Sequence, residues 1–413
     1  MNTDAFEDVW RPAAPRVLGI LARRHDNFAD CEDAVQLALV AASRQWPEEG
    51  VPENPTGWLL RVAARRLVDV VRADASRRAR EERVAGLTGP AEPSSEDALL
   101  AQDGRDDTLR LLVLCAHPVL TPSSQVALML RAVGGLTTKE IAASFFVPEA
   151  TMAQRISRAK ASLTEAGARF AAPARSDLPA RLPAVRHAIA LLYTRSHALT
   201  EPAGDTGPSD SLAARTALRL SRELHRLVPV DPENAGLLAL LLLTHARAAT
   251  RSDSAGELVP LADQDRRLWD RRCIEEGCAL LERVLPVGYV GSFQLQAAIA
   301  AVHAEASSAS STDWAQILAL YDMLERVDPT PATTVGRAIA TAEAVGPRAG
   351  LEVLAGVPQG NHRRYAAAGH MLARLGRRVE ARAQFLRAAE LTRSVPEQRY
   401  LNRMAAGRGS FGS

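Results

Sequence analysis

The residues best suited to chemistry in this chain are arginines, glutamines and hydroxyls at helical spacing, and the chemistry they suit is recognition of a polyanion. In the stretch GGLTTKEIAASFFVPEATMAQRISRAKASL, residues 134–163, Gln154 and Arg155 have side chains able to pair bidentately with adenine and guanine edges. Glu149 and Thr151 precede them on the same predicted helix, and Arg158 and Lys160 follow at positions where cations suit phosphates. A second set lies upstream. Arg61, Arg65, Asp69 and Arg72 fall on one stripe of a predicted helix over 56–75, and RRAR follows at 77–80. From Arg61 to Arg83 there are eight arginines against four acids, the electrostatic footprint expected for a partner with a nucleic-acid backbone. A solvated helix face would have the same composition, and an ordinary helical hairpin would read much like 134–163. No P-loop, dinucleotide fingerprint, nucleophile elbow or H-E-x-x-H occurs, and no helix pairs carboxylates for acid–base work. The sequence points away from an enzyme.

Local signals predict how these residues are held. Gly134 and Gly135 end one helix, and Thr137 with Glu140 forms a T-x-x-E capping box that opens a short one. Ile141, Ala142 and Phe145 make its inner face. Pro148 suits the first turn of the next helix, where no backbone donor is needed. Met152, Ile156, Ala159 and Leu163 line one side of that helix, leaving Arg155, Arg158 and Lys160 off the stripe. Two helices joined by so short a turn form a helix-turn-helix, whose second helix enters the major groove N-terminal end first. Upstream, a helix begins near Asp30 as N-cap, with Val35, Leu39, Ala42 and Trp46 buried. Pro47 to Pro55 reads as a loop, and Leu59, Ala63, Leu67 and Val70 form the buried stripe of the helix after it.

The 413 residues imply two or three domains, and an Ala- and Leu-rich composition with few β-branched alternations implies an all-α fold. The formal charge of +2 is near balance, so the clustering of arginine carries the information. Cys31, Cys115, Cys273 and Cys278 have neither zinc nor dithiol spacing and read as free thiols of a reducing cytosol. No signal core opens the chain and no apolar run could span a bilayer, so a cytoplasmic protein with no membrane partner is expected. The expected layout is a helical domain over 1–75, a flexible linker over 76–105, the helix-turn-helix domain over 106–170, and a helical extension over 184–405 beyond the proline-rich stretch 171–183. Within the extension, breaks at 201–210, 229–234, 250–262, 286–291, 307–312, 328–331 and 356–361 suggest a solenoid of helix pairs.

With those residues in view, the chain resembles the extracytoplasmic-function sigma factors. ADCEDAVQLALVAASRQW (29–46) is similar to sigma region 2.2, GWLLRVAARRLVDVVR (57–72) to regions 2.3 and 2.4, and the segment from Asp106 to Leu163 to region 4. The resemblance implies two small helical sigma domains and two partners, core RNA polymerase and promoter DNA. It implies that Asp33 and Gln36, with Asp30 and Glu32 beside them, dock on the β′ clamp helices, while region 4 meets the β flap. Trp58, Arg61, Arg65, Arg66, Asp69 and Arg72 then open and bind the −10 element. The loop 47–57 would build a pocket for an extruded base. Glu149, Thr151, Gln154, Arg155, Arg158 and Lys160 read the −35 element.

The extension resembles that of a subgroup whose sigma core is followed by a TPR-like domain. GELVPLADQDRRLWDR (256–271), FQLQAAIAAVHAEA (293–306) and TDWAQILALYDMLERVDPTP (312–331) carry the likeness. Tyr365, Gly369, Leu372, Gly376, Ala381, Phe385 and Ala388 fit the TPR pattern, whereas LLYTRSHALTE (191–201) departs from the more aromatic, acidic stretch of that subgroup. Such a domain would bind a protein or peptide partner and regulate the sigma core, or merely stabilise it. In GELVPLADQDRRLWD, the cluster Asp263–Arg267 is either a site or an interhelical loop with an aspartate cap and arginines used for packing. His303 and Glu305 follow Gln294 and Gln296 as a polar groove, with no second histidine spaced for a metal, and no cofactor is expected. The competing reading is a DNA-binding activator with a TPR-like sensor that is not a polymerase subunit. It leaves the likeness at 29–72 unexplained.

Overall fold

The computed structural model describes residues 4–25, 27–81, 107–145, 147–170, 176–198, 212–285, 288–392 and 394–407, with the side chains at 4–8, 70–81 and 195–198 outside the description. Among the described residues all regular structure is helical apart from one isolated antiparallel bridge, Ser252–Leu258, so the fold is all-α. The chain divides into two compact units, residues 1–192 and 193–413.

The first unit opens with α1 (Asp4–Arg24), α2 (Phe28–Glu49) and α3 (Pro55–Glu81), which pack on one another. Val17, Leu18, Leu21, Val35, Trp46, Leu59 and Leu67 are almost fully buried, the one-sided stripe that an amphipathic helix must hide. The N-cap of α2 is Asn27, not Asp30, and its Oδ1 accepts from Ala29 N at 3.0 Å. Phe28, 3% exposed, supplies the first apolar residue of the stripe. Pro47 lies inside α2, in its last turn, and Gly50 (φ 87°) ends it, so the loop is shorter than the prolines suggest. At the other end α3 continues through Glu81, past residue 76 where a linker was expected.

The same unit contains α4 (Thr108–Cys115), α5 (Pro122–Ala132), α6 (Thr138–Ser144), α7 (Glu149–Glu165) and the first part of α8 (Leu178–Ala198). The expected capping box forms: Thr137 N donates to Glu140 Oε2 at 2.7 Å and Glu140 N to Thr137 Oγ1 at 3.2 Å. Met152, Ile156, Ala159 and Leu163 are the buried face of α7, as the spacing predicts, while Pro148 serves as its N-cap. The boundary between the units falls inside α8. Arg181 near its start donates to Val113 O at 3.0 Å, and Leu182, Val185, Ile189 and Leu192 are buried.

The second unit holds α9 (Leu212–Leu227), α10 (Pro232–His245), α11 (Arg271–Val284), α12 (Ser292–Glu305), α13 (Trp314–Val327), α14 (Pro331–Ala344), α15 (Pro347–Leu354), α16 (His362–Arg374), α17 (Arg378–Leu391) and α18 (Val395–Ala405). Most pack chiefly on a chain neighbour, whereas α10 and α12 pack chiefly on each other. Their closeness depends on glycine: a Cβ at Gly236 would come within 2.6 Å of Gln294 N, and one at Gly369 within 2.7 Å of the Phe385 ring. The expected break at 201–210 lies outside the described residues.

Candidate nucleic-acid interface

The proposed DNA-reading residues lie on α7 between Glu149 and Lys160. Glu149, Thr151, Gln154 and Arg158 are exposed, and the Arg155 guanidinium lies over the Phe145 ring at 5.6 Å. That stacking ties α7 to the end of α6 and fixes the direction of one candidate base reader. On α3, Arg61, Arg65, Arg66 and Asp69 form a continuous exposed face opposite Leu59, Ala63 and Leu67. Arg72 lies on the same helix, and its side chain falls outside the described residues, as do those of RRAR. Trp58 is half-buried at the start of α3, edge-on to Trp46 with ring centroids 5.5 Å apart. This contact anchors the loop at 50–54, which Gly57 N tightens further by donating to Asn54 Oδ1 at 2.9 Å.

The residues expected to meet polymerase behave differently from one another. Asp33 is exposed and Asp30 half-buried, its Oδ2 accepting from Asn27 Nδ2 at 2.7 Å. Gln36 lines a cleft of about 190 Å³ with Trp10, Leu39, Val40, Arg131 and Leu136. Glu32 is not at the surface. It is 1% exposed, and its carboxylate bridges Arg131 Nε at 3.2 Å and Lys160 Nζ at 2.9 Å. Lys160 also reaches Asp33. So Lys160, expected to face phosphate, instead clamps α7 to α2. Burial pulls the Lys160 ammonium down, but Glu32 and Asp33 more than reverse this and hold it above the ordinary lysine value.

Further contacts join the same two modules. Arg11 Nη2 meets Glu140 at 3.3 Å, Thr164 Oγ1 donates to Asn27 Oδ1 at 3.1 Å, and buried Asp107 pairs with Arg23 at 2.9 Å. None of Arg11, Asn27, Arg131 or Thr164 stood out in the sequence. One signal was present for Arg131: it is the lone charge of PSSQVALMLRA, an otherwise apolar and largely buried helix. A single cation in such a setting needs a partner.

The geometry thus offers two exposed faces, one cationic, on separate helices of one unit. The family comparisons resolve what those helices belong to. Sigma-70 region 2 matches residues 9–77 and sigma-70 region 4 matches 110–163. The RNA polymerase sigma factor CarQ of Myxococcus xanthus is 34% identical over 34% of this chain and 76% of its own length. This chain belongs to the sigma-70 family. Within the sigma factor, α1–α3 form region 2 and α4–α7 contain region 4. The probable ECF RNA polymerase sigma factor SigI of Mycobacterium tuberculosis is 27% identical over 39% of this chain and 55% of its own. An uncharacterized protein, R00370 of Rhizobium meliloti, is 40% identical over 94% of this chain and 92% of its own, so the sigma factor shares its extension with that relative. A family of unknown function, DUF6596, covers 181–285. No solved structure matches. No helix among the described residues is long and apolar enough to cross a membrane.

Proposed function

We propose that this sigma factor is of the extracytoplasmic-function type, joins core RNA polymerase and directs it to promoters with separate −10 and −35 elements. In this reading Arg61, Arg65, Arg66, Asp69 and Arg72, with Trp58, engage the −10 element. Glu149, Thr151, Gln154, Arg155 and Arg158 engage the −35 element, and Lys160 reaches phosphate only after leaving Glu32. Asp30, Asp33 and Gln36 dock on the β′ clamp helices, with region 4 at the β flap. The observation that carries the reading is that the two exposed faces lie within the segments matching regions 2 and 4. Run-off transcription with core polymerase and no other sigma factor tests it. Defined start points are expected. If transcripts require another sigma factor, the chain acts as an activator and the proposal fails.

The extension is proposed to be a TPR-like domain that regulates the sigma core in place of a separate inhibitor. Support comes from the pair α16–α17, where Gly369 lets Phe385 approach and Gly376 (φ 76°) makes the turn. A chain ending at residue 198 is expected to change transcriptional output at equal core affinity. Unchanged output would leave the extension as a scaffold.

A further inference from the structure

The connection between α10 and α11, residues 246–270, is long for a helical domain, where such loops commonly have a function of their own. It is also internally fixed. Trp269 Nε1 donates to Thr250 Oγ1 at 3.0 Å, Thr250 Oγ1 donates to Gln264 Oε1 at 3.2 Å, and Gln264 Nε2 donates to Val259 O at 3.0 Å. All three side chains are buried. Asp270 N donates to Ala246 O at 2.8 Å and Val259 N to Arg251 O at 2.8 Å, closing both ends. Arg266 clamps the loop to its neighbours through His303 O and Ala306 O, with its guanidinium 4.9 Å above the Trp269 ring.

This rigid loop holds two arginines, Arg247 and Arg251, on either side of the short 3-10 turn 248–250. Neither has an acidic partner or a hydrogen-bond acceptor for its guanidinium among the described residues, and Arg251 Nη1 is fully buried without one. Four of the five acids of the loop are engaged elsewhere, and the fifth, Asp263, is exposed. Asp253 accepts from Ala255 N and Glu257 N, Glu257 meets Arg399 and Arg403, Asp265 holds Arg267, and Asp270 caps α11. Burial and the mutual repulsion of the pair pull Arg247 down to about 10, and burial, with Arg363 nearby, lowers Arg251 as well. Desolvated cations without a counter-charge are costly and are rarely kept in a fixed geometry without a use.

We infer that Arg247 and Arg251 form a preorganised receptor for a phosphoryl group carried by a small molecule. Two unneutralised guanidiniums match a dianion in charge, and the planar fork of a guanidinium is suited to pairing with phosphate oxygens. Fixing the loop beforehand removes most of the ordering cost of binding. The site lies inside the segment matching the family of unknown function, and it is independent of the promoter reading.

The test uses the full chain, titrated with inorganic phosphate and with pyrophosphate at constant ionic strength, read by calorimetry and by the melting temperature. Saturable binding is expected. Arg251→Gln should weaken it at least tenfold while raising the melting temperature of the ligand-free protein, since a buried unpaired charge has been removed. Arg267→Gln, at an exposed pair, should leave binding unchanged. Absence of saturable binding by both probes overturns the inference. So does retained affinity in Arg251→Gln, and so does a loss of ligand-free stability in that variant, which would mean that the arginine is neutralised within the chain.

Discussion

Replacing Glu32 with glutamine keeps shape and hydrogen-bonding capacity but removes the one negative charge shared by Arg131 and Lys160. The carboxylate is 1% exposed, so the loss is felt in a poorly solvated setting, where breaking a buried ion pair costs about 3–5 kcal/mol. Two features reduce this. Lys160 keeps Asp33, and Arg131, whose side chain is 21% exposed, keeps a bond to Leu136 O at 3.3 Å. A cost of about 2 kcal/mol is therefore expected, which for a unit of this size lowers the melting temperature by roughly 4–8 °C. Asp33→Asn is the matched control. Its side chain is 60% exposed, so the same charge change should cost under about 1 kcal/mol. Thermal unfolding of the two variants, with hydrogen exchange followed on α7, gives the comparison. Exchange in α7 should rise in Glu32→Gln. Equal costs for the two variants, or a larger one for Asp33→Asn, would refute the assignment of Glu32 as the internal anchor.

Arg61→Gln, Arg65→Gln and Arg66→Gln should each reduce promoter binding and lower the dependence of log K on log salt by about 0.9 if a phosphate contact is lost; an unchanged slope in filter-binding or run-off assays would remove these residues from the interface. His303 is half-buried against Trp314, and burial, with Arg247 and Arg266, pulls it from 6.5 to about 4. The unfolded chain therefore takes up the proton first, so this contribution to stability is full above pH 6.5 and is lost as pH falls toward 4, by up to about 3 kcal/mol. The melting temperature of the unsubstituted protein relative to His303→Phe should fall as pH drops across that window, and parallel curves would contradict the sign. Gly369→Ala forces a Cβ to 2.7 Å from the Phe385 ring and should cost about 1–3 kcal/mol, seen as a lower denaturation midpoint at unchanged m.

What was legible in the sequence was local. The box of Thr137 and Glu140 and the stripe Met152, Ile156, Ala159 and Leu163 are each decided within about three helical turns, and both form. The start of α2 was misread because Asn27 and Asp30 are equally good caps, and the apolar stripe begins at Phe28, before the aspartate. Pro47 suggested a break, but a proline in the last turn displaces few hydrogen bonds, so the helix absorbs it. The fate of Lys160 was beyond reach: its partner Glu32 lies 128 residues away, and nothing local distinguishes a lysine facing phosphate from one facing a buried glutamate. The cluster at 263–267 resolves in favour of the loop reading, with Asp265 as a cap and Arg266 as a packing clamp. Of the expected polar groove on α12, Gln294 is taken up by capping, where it accepts from Gly291 N, and His303 by its contact with Trp314.

Because the division between the units runs through α8, its first turns are structural property of the first unit even though they also lead into the extension. A truncation ending at residue 170, the natural choice from the proline-rich stretch, would strip Leu182, Val185, Ile189 and Leu192 from the first unit and leave Val113 O without the guanidinium of Arg181. Such a fragment is expected to be destabilised for reasons of its own, and its behaviour would be mistaken for the consequence of releasing an inhibitor.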